Sequence, residues 1–356
     1  MIGLIERYDA MRKVKVIQIG VGHDHAIDVL DSVAHMKDIF EVVALAVPES
    51  EKTDFRDKIE ICTQKIGVNL LSVEEALNLD GVEGAIIETE EVNLCRYAYI
   101  AAQKGFHIHM DKPGSAVYSE FETLIRYMEK NSLVMSIGYM YRFNPEIKKA
   151  IETVKNGELG EIYSVEAQMN CEHSLEKQRW MSRFPGGMMF FLGCHLIDII
   201  YRLQGEPTEI IPLNTCTDRS AIDAENFGMA AFKYNNGVSF VKVCDAEVGG
   251  FMRRQIVICG TKGTLEIRPI EKWLSDNIFS YNGCTERKNM CSYVRKISNV
   301  RNWSSDSEFE QSIPFNRYDS MMLSYARRIT GEAEEVYTYD YELELYKIVL
   351  KACGGM

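Results

Sequence analysis

The stretch that decides the fold is Val14-Lys15-Val16-Ile17-Gln18-Ile19-Gly20-Val21-Gly22-His23-Asp24-His25-Ala26. Its apolar run stops at a glycine, and apolar residues then recur at helical spacing. This pattern predicts a buried strand, a tight turn and a helix. Gly20 permits the sharp turn, and Gly22 lets the backbone approach a pyrophosphate that faces the N-terminus of the helix. We therefore predict a dinucleotide-binding turn, although His25 replaces the usual third glycine.

His23 and His25 lie two residues apart with Asp24 between them, which is a pattern also found in metal sites. Polar side chains at the mouth of a nucleotide turn need no metal, however. No further ligand type has a spacing that ties it to this pair. We therefore predict no metal and assign both histidines to the cofactor site.

Four more apolar runs follow, each separated from the next by a helical pattern, and they cover residues 40–47, 82–87, 106–110 and 133–139. Repeated strand–helix units of this length predict a parallel sheet with helices on both faces and right-handed crossovers. We expect residues 1–140 to form an N-terminal Rossmann domain.

The pattern changes after about residue 141, where longer alternating runs begin. Tyr234-Asn235-Asn236-Gly237 predicts a tight hairpin, since Asn-Gly tolerates positive φ. A helix from about Gly187 to Leu203 interrupts the strands. We expect residues 141–356 to form an α+β domain with an open, mostly antiparallel sheet. Residues 271–318 are polar and weakly periodic, and we interpret them as a long loop region of that domain.

Composition excludes several classes of protein. The net charge is −12, from 40 basic and 52 acidic residues, which argues against a nucleic-acid-binding surface. No run approaches the roughly 18 apolar residues of a membrane span, and the first residues lack the apolar core of a signal peptide. The ten cysteines form no CxxC pair and are expected to be buried thiols in a reducing compartment. These features predict a cytoplasmic protein without a membrane partner.

The residue after the second strand should distinguish NAD from NADP. An acid there accepts hydrogen bonds from the ribose 2′-OH of NAD, whereas Arg or Lys favours the 2′-phosphate of NADP. Glu49 is the best acid at this position, and no arginine follows directly, although Lys52 and Arg56 are close. We predict NAD, with NADP as the less favoured cofactor. Thr89, after a later strand, is a further predicted cofactor contact.

Several motifs resemble those of the glucose–fructose oxidoreductase / inositol dehydrogenase family (Gfo/Idh/MocA). Asp111-Lys112-Pro113 is similar to its (Glu/Asp)-Lys-Pro motif. The other similar stretches follow in the family's order: Gly138 to Pro145, Gly157 to Ile162, Gly186-Gly187, Gly193 to Asp198 and Cys259 to Leu265. Together they cover about residues 12–350.

The resemblance implies a Rossmann domain followed by an α/β domain whose open sheet often serves oligomerisation, so a homo-oligomer is expected. It also implies hydride transfer between a nicotinamide and a secondary alcohol carbon of a sugar, cyclitol or glycoside. Lys112 would stabilise the alkoxide character that develops as the hydride leaves. Asp111, Lys112 and Pro113 are assigned to the cofactor site, with the bond before Pro113 expected to be cis.

His195 is the second predicted catalytic residue. Its imidazole, with an ordinary pKa near 6.5, can take the hydroxyl proton at neutral pH. Phe191, His195 and Asp198 have the spacing of one helix face. Asp198 could orient His195 or cap a neighbouring backbone group. With Tyr141 and Arg142, Phe191 and Asp198 are predicted to bind substrate, and the Phe191 ring could pack on a sugar or aglycone.

One alternative function stays open. Many family members carry Asp where this chain has Phe191, and that change favours a catalytically degraded sensor that binds NAD and a sugar. Retention of Lys112 and His195 favours an enzyme.

Overall fold

The computed structural model describes residues 11–274, 289–298, 307–333 and 336–355. The chain divides into two compact units. The first unit runs to Gly138 and adds Tyr318–Tyr339, and the second takes Tyr139–Arg317 and the residues from Asp340 onward. Among the described residues, no helix is both long and apolar enough to span a membrane. Nine cysteines in these ranges are free thiols, and Cys284 lies outside them.

The α-helices, in chain order, are α1 (Ala26–His35), α2 (Arg56–Glu60), α3 (Val73–Leu77), α4 (Leu94–Gln103), α5 (Tyr118–Lys130), α6 (Pro145–Lys155), α7 (Leu175–Trp180), α8 (Cys194–Gln204), α9 (Asp319–Ile329) and α10 (Tyr339–Ala352). Local chemistry explains several of their starts. Ser72 and Glu75 form the capping box of α3. Asn144 accepts hydrogen bonds from the N–H groups of Glu146 and Ile147, and Pro145 is the first residue of α6.

The strands, in chain order, are β1 (Val14–Ile19), β2 (Phe40–Ala46), β3 (Leu70–Leu71), β4 (Gly84–Ile87), β5 (His107–Met110), β6 (Met135–Ile137), β7 (Ile162–Asn170), β8 (Glu209–Pro212), β9 (Phe227–Tyr234), β10 (Gly237–Cys244), β11 (Gln255–Gly260), β12 (Gly263–Ile267), β13 (Lys272–Trp273), β14 (Asn289–Cys291), β15 (Tyr293–Ser298), β16 (Ser307–Gln311) and β17 (Phe315–Asn316).

The first unit contains a six-stranded parallel sheet in the order β3-β2-β1-β4-β5-β6. Its apolar strands are buried because helices cover both faces. This is the doubly wound nucleotide-binding order, in which ligands bind outside the carboxyl ends of the strands where the order reverses, next to β1. The predicted Rossmann sheet is confirmed.

The second unit contains an eight-stranded sheet in the order β16-β15-β12-β11-β7-β10-β9-β8. Among the strand pairs of the described residues, only β7–β10 is parallel, so the predicted mostly antiparallel sheet is confirmed. The predicted hairpin joins β9 to β10, with Tyr234 opposite Gly237. Helix α8 packs on β7 and β10. A further three-stranded sheet has the order β13-β14-β17.

Two details differ from the sequence-based prediction. Residues 271–318, predicted as a loop region, contribute strands β13 to β17, although residues 275–288 and 299–306 lie outside the described ranges. Residues 318–339 belong to the first unit, not to the predicted domain 141–356. The reason is a set of contacts made by α9: Ser32 Oγ donates to Asp319 Oδ1 (2.7 Å), and Arg328 Nη2 donates to the Met135 carbonyl (2.6 Å).

Candidate functional site

The glycine turn after β1 lies tightly against the residues that follow β4. Gly20 has a φ of +89°, and a Cβ added there would lie 2.6 Å from the Cα of Thr89. A Cβ on Gly22 would lie 2.5 Å from the Glu90 nitrogen. Both positions therefore require glycine, Gly20 for its left-handed backbone as well as for space.

We expect Gly20→Ala to destabilise the first unit more than Gly81→Ala does. Gly81 also has a positive φ, of +72°, but an added Cβ there meets no atom within 4 Å. Gly81→Ala should cost about 1–2 kcal/mol for the left-handed backbone alone. Gly20→Ala adds the clash with the Thr89 backbone, so its unfolding free energy, measured by urea denaturation, should fall further. Equal losses would show that the close approach is absent.

Glu51 is the acid that contacts this turn. Its Oε2 accepts hydrogen bonds from the N–H groups of Val21 (2.9 Å) and Gly22 (3.0 Å), and its Oε1 accepts one from the Glu90 N–H (2.7 Å). The side chain is fully buried. Burial raises the pKa of Glu51, although the three N–H groups act in the opposite direction. The Val21 and Gly22 N–H groups of the turn are thus occupied by the Glu51 side chain.

Glu49, the acid chosen from the sequence, lies elsewhere. Its side chain is 84% exposed and pairs with Lys52. Glu49 and Glu51 belong to the same short 3₁₀ turn after Pro48, and this turn directs only the second acid inward. Sequence reasoning missed Glu51 because two acids so close together carry no local signal of which one is buried.

His23, His25 and Asp111 form a compact cluster beyond the turn. Asp111 follows β5, and its Oδ2 lies 3.0 Å from His25 Nδ1 and 3.2 Å from His23 Nδ1. His23 Nε2 lies 3.1 Å from the Lys112 carbonyl oxygen, and the His25 N–H lies 3.2 Å from His23 Nδ1. These contacts assign the proton to Nε2 of His23 and the lone pair to Nδ1.

Two further acids, which the sequence analysis did not assign to the site, border the cluster. Glu88 follows β4, and its Oε2 lies 3.6 Å from His23 Nδ1. Glu91 Oε1 lies 3.7 Å from His23 Nε2. Glu91 is only 2% exposed, because it begins the short 3₁₀ turn that faces His23.

Burial dominates the electrostatics of this cluster. It lowers the pKa of His23 well below its ordinary value and raises the pKa of Glu88 well above its own, with the Asp111 carboxylate adding to the latter shift. Burial also acts to raise the pKa of Asp111, but the two imidazoles and Lys112 outweigh it and the net shift is downward. Asp111 is therefore the ionised member of the cluster at neutral pH.

The backbone of Lys112 is fixed on both sides. Its N–H donates to Asp111 Oδ1 (2.6 Å), and its carbonyl accepts from His23. The peptide bond to Pro113 is cis, as the family resemblance implied. The Lys112 side chain is fully buried at the carboxyl end of β5, which is the ligand-binding edge of the sheet.

In the second unit, His195 lies near the start of α8 and is 1% exposed. The rings of Tyr139 and Tyr141 meet it edge-on, with centroids 5.9 and 5.0 Å away. The imidazole is thus packed between the edges of two tyrosine rings.

Asp198 lies one helical turn after His195 but binds Arg142. The Arg142 guanidinium donates to both Asp198 oxygens (2.9 and 3.0 Å) and also pairs with Glu342. The hydroxyl of Tyr341 donates to Asp198 Oδ1 (2.8 Å). Arg142 and Asp198, two of the four predicted substrate-binding residues, thus pair with each other in a buried network.

Tyr141 belongs to a second buried network, around Glu271. Its hydroxyl donates to Glu271 Oε1 (2.6 Å), and Arg254 and Arg317 donate to the same carboxylate. Burial acts to raise the pKa of Glu271, but the two guanidinium groups outweigh it and lower the pKa. Tyr141 therefore presents its ring to His195 while its hydroxyl is engaged elsewhere.

Phe191 lies in a π-helical segment, Met189–Gly193, that precedes α8. Its ring meets the Trp180 ring edge-on at 5.7 Å, and Lys177 Nζ lies 4.9 Å from its centroid. Phe191 is 4% exposed. The ring is therefore packed within the second unit and is covered by an ammonium group, which leaves little of it for the sugar contact that the sequence predicted.

One stretch of the second unit is similar to a known sequence family. Residues 147–266 match the sequence model of the GFO/IDH/MocA C-terminal domain. The resemblance expected from the sequence motifs is thus confirmed.

Curated relatives of this chain include NADP(+)-dependent dehydrogenases. A scyllo-inositol 2-dehydrogenase (NADP(+)) from Bacillus subtilis is 25% identical over 56% of this chain and 55% of its own length. A D-xylose 1-dehydrogenase (NADP(+)) from Haloferax volcanii is 24% identical over 47% of this chain and 51% of its own. The chain thus spans about half the length of these curated relatives.

Solved structures extend the likeness in fold over nearly the whole chain. A 3-ketoreductase from Actinomadura kijaniata, solved with NADP and TDP-benzene, superposes with a TM-score of 0.78. The two sequences are 16% identical, and the superposition covers 96% of this chain and 98% of the ketoreductase chain. At this identity, the comparison supports the two-domain fold alone.

Proposed function

We propose that this protein is a nicotinamide-dependent oxidoreductase that transfers a hydride between the cofactor and a secondary hydroxyl or ketone carbon of a sugar, cyclitol or glycoside. The observation that carries the proposal is the glycine turn beside β1, whose backbone N–H groups bind the buried carboxylate of Glu51. Release of Glu51 would free the Val21 and Gly22 N–H groups, which are the donors that a pyrophosphate needs at such a turn. The names of the two dehydrogenase relatives support the substrate class.

The dinucleotide, when bound, supplies the hydride acceptor or donor. Gly20, Gly22 and the first turn of α1 would bind its pyrophosphate, and Glu51 would turn from the Val21 and Gly22 N–H groups toward its adenosine ribose. Lys112 would donate a hydrogen bond to the reacting oxygen, and His195 would take the hydroxyl proton as the carbinol hydride leaves. The catalytic roles of Lys112 and His195 are proposals.

We further propose that NAD is preferred over NADP, although both dehydrogenase relatives are named for NADP(+). The buried Glu51 carboxylate would repel a 2′-phosphate. Lys58 donates to the carbonyl oxygens of Gly22 (3.1 Å) and His23 (2.7 Å) in the turn.

Glu51→Gln should therefore shift the preference toward NADP by about tenfold or more, since like charges a few ångströms apart cost on the order of 1–4 kcal/mol. The matched control is Glu49→Gln, which removes the same charge from an exposed side chain two residues away and should leave the NAD/NADP ratio unchanged. Calorimetric titration of each variant with both dinucleotides measures that ratio. A shift caused by Glu49→Gln alone would return the role to Glu49.

The proposed function is tested by adding a panel of sugars, cyclitols and glycosides to the protein with NAD and following the near-ultraviolet absorbance of the reduced nicotinamide. We expect at least one member to reduce the cofactor. Binding of both ligands with no reduction across the panel would instead support the sensor function. The homo-oligomer, built through the eight-stranded sheet, and the cytoplasmic location stay predictions.

A further inference from the structure

The cluster at the carboxyl edge of the first sheet contains more ligand atoms than the proposed reaction uses. His23 and His25 follow β1, Glu88 follows β4 and Asp111 follows β5, so three neighbouring strands direct nitrogen and oxygen atoms to one point. His23, Glu88 and Asp111 are fully buried. Buried carboxylates normally require cationic or hydrogen-bonding partners, because an isolated buried charge is costly.

The distances in the cluster match the edges of a metal coordination sphere. His25 Nδ1 and His23 Nδ1 lie 3.0 and 3.2 Å from Asp111 Oδ2, and Glu88 Oε2 lies 3.6 Å from His23 Nδ1. The ligand atoms of His23, His25 and Asp111 all lie within 4.8 Å of one another. Tetrahedral Zn²⁺ with bonds of about 2.0–2.1 Å has ligand–ligand edges of about 3.3 Å.

The hydrogen bonds made by His23 and Asp111 to the backbone of Lys112 are also typical of residues that bind a metal. His23 Nε2 contacts the Lys112 carbonyl oxygen at 3.1 Å, which leaves the lone pair on Nδ1, the atom that faces Asp111 and Glu88. The second oxygen of Asp111 accepts the Lys112 N–H at 2.6 Å. Histidine ligands usually donate their other N–H to a carbonyl, and ligating carboxylates are themselves hydrogen-bonded.

Glu88 is the independent observation that points to a missing cation. Its carboxyl group is fully buried beside that of Asp111, and neither of its oxygens accepts a hydrogen bond from an N–H or O–H group among the residues that the structure describes. The 3.6 Å separation from His23 Nδ1 is too long for a hydrogen bond. A cation between these two atoms would satisfy the carboxylate.

We propose that His23, His25, Asp111 and Glu88 bind a divalent transition-metal ion, with Zn²⁺ as the best match. Two imidazole nitrogens and two carboxylate oxygens suit Zn²⁺, whereas Mg²⁺ and Ca²⁺ prefer oxygen ligands alone. On binding, the hydrogen bond between His25 and Asp111 is replaced by a bond from each residue to the metal. His23 Nδ1 likewise binds the metal in place of its contact with the His25 N–H. The ion would join the glycine turn to the ends of β4 and β5. The proposal departs from the sequence-based expectation of no metal, which assigned His23, His25 and Asp111 to the cofactor site, and it does not rest on the proposed hydride transfer.

The test is metal binding, not activity. Protein freed of metal with a chelator is titrated with Zn²⁺ by calorimetry, and its metal content after gel filtration is measured by mass spectrometry. We expect one Zn²⁺ per chain. His23→Gln and Asp111→Asn should weaken the affinity by more than about 100-fold, since loss of an outer-shell partner alone typically costs 10–100-fold. His35→Gln, the same substitution at an exposed histidine of α1, is the matched control and should bind as the parent does.

Cobalt binding to the parent protein gives a second test, which still applies if a variant at a buried position fails to fold. Co²⁺ in the parent protein should give visible d–d bands without a thiolate charge-transfer band, because the proposed ligands contain no sulfur. His25→Gln, at a partly exposed position, should abolish those bands. The absence of stoichiometric Zn²⁺ binding, binding that survives both His23→Gln and His25→Gln, or a thiolate band would each overturn the proposal.

Discussion

Lys112→Met is expected to lower the rate of the chemical step by about 10²- to 10⁴-fold, the range usual for a positioned proton-transferring or hydrogen-bonding group. The proposed reason is the loss of the ammonium that would stabilise the developing alkoxide. The backbone of Lys112 is fixed through Asp111 and His23, so methionine can occupy the same place without moving the turn. Single-turnover kinetics of cofactor reduction, at saturating NAD and substrate, give the rate.

A matched variant separates this effect from general loss of positive charge. Lys104→Met removes a lysine from an exposed position whose Nζ contacts only the side chain of Asn78 among the hydrogen bonds of the described residues. It should turn over at the parent rate, and both variants should bind NAD with nearly unchanged affinity. Parent-like turnover by Lys112→Met would remove Lys112 from the reaction.

Arg142→Met is expected to lower the unfolding free energy of the second unit by about 3–5 kcal/mol, because it leaves buried carboxylates uncompensated. The guanidinium is 4% exposed and is the cation shared by Asp198 and Glu342. It also lies over the Tyr139 ring, with its central carbon 4.4 Å from the centroid. Chemical denaturation, followed by far-ultraviolet circular dichroism, measures the loss.

Arg126→Met is the surface counterpart of that experiment. Arg126 pairs with Glu129 at 2.7 Å on α5, but both side chains are more than 40% exposed. Pairs of this kind contribute about 0.3–0.5 kcal/mol, so the control should lose much less stability than Arg142→Met. Comparable losses in the two variants would mean that the Arg142 network is not buried as described.

The sequence was most informative where a local pattern decides a local structure. The apolar run ending at Gly20 predicted β1 and its turn, and Asn236-Gly237 predicted the hairpin of β9 and β10. Repetition of strand–helix units predicted the parallel sheet, since only a few topologies suit such a chain. The ordered motifs then predicted a resemblance to the Gfo/Idh/MocA family, which the match of residues 147–266 confirmed.

The site residues were harder because their contacts are long-range. His25 and Asp111 are 86 residues apart, so no spacing rule could connect them. Arg142 meets Asp198 and Glu342 across 56 and 200 residues, and only the folded chain shows that these groups satisfy one another. Asp198 therefore pairs with Arg142 through two hydrogen bonds, and not with His195 as the sequence suggested.

The choice between neighbouring acids fails for a different reason. Glu49 and Glu51 have the same chemistry and nearly the same position, and the orientation of one 3₁₀ turn decides which of them contacts the backbone. If the predicted direction of a short turn is wrong by one residue, the side chain expected to be buried is exposed and its neighbour is buried. Sequence reasoning could therefore place an acid at the turn but could not say which acid.

Isotope transfer tests the central claim most directly. The protein is incubated with reduced NAD carrying deuterium at the transferable C4 position and with a panel of keto-sugars and keto-cyclitols, and the products are examined by mass spectrometry and NMR. The account predicts that deuterium appears on the new carbinol carbon of at least one product, and that Lys112→Met slows its appearance about 10²- to 10⁴-fold. Cofactor binding with no deuterium transferred to any member of the panel would contradict the account.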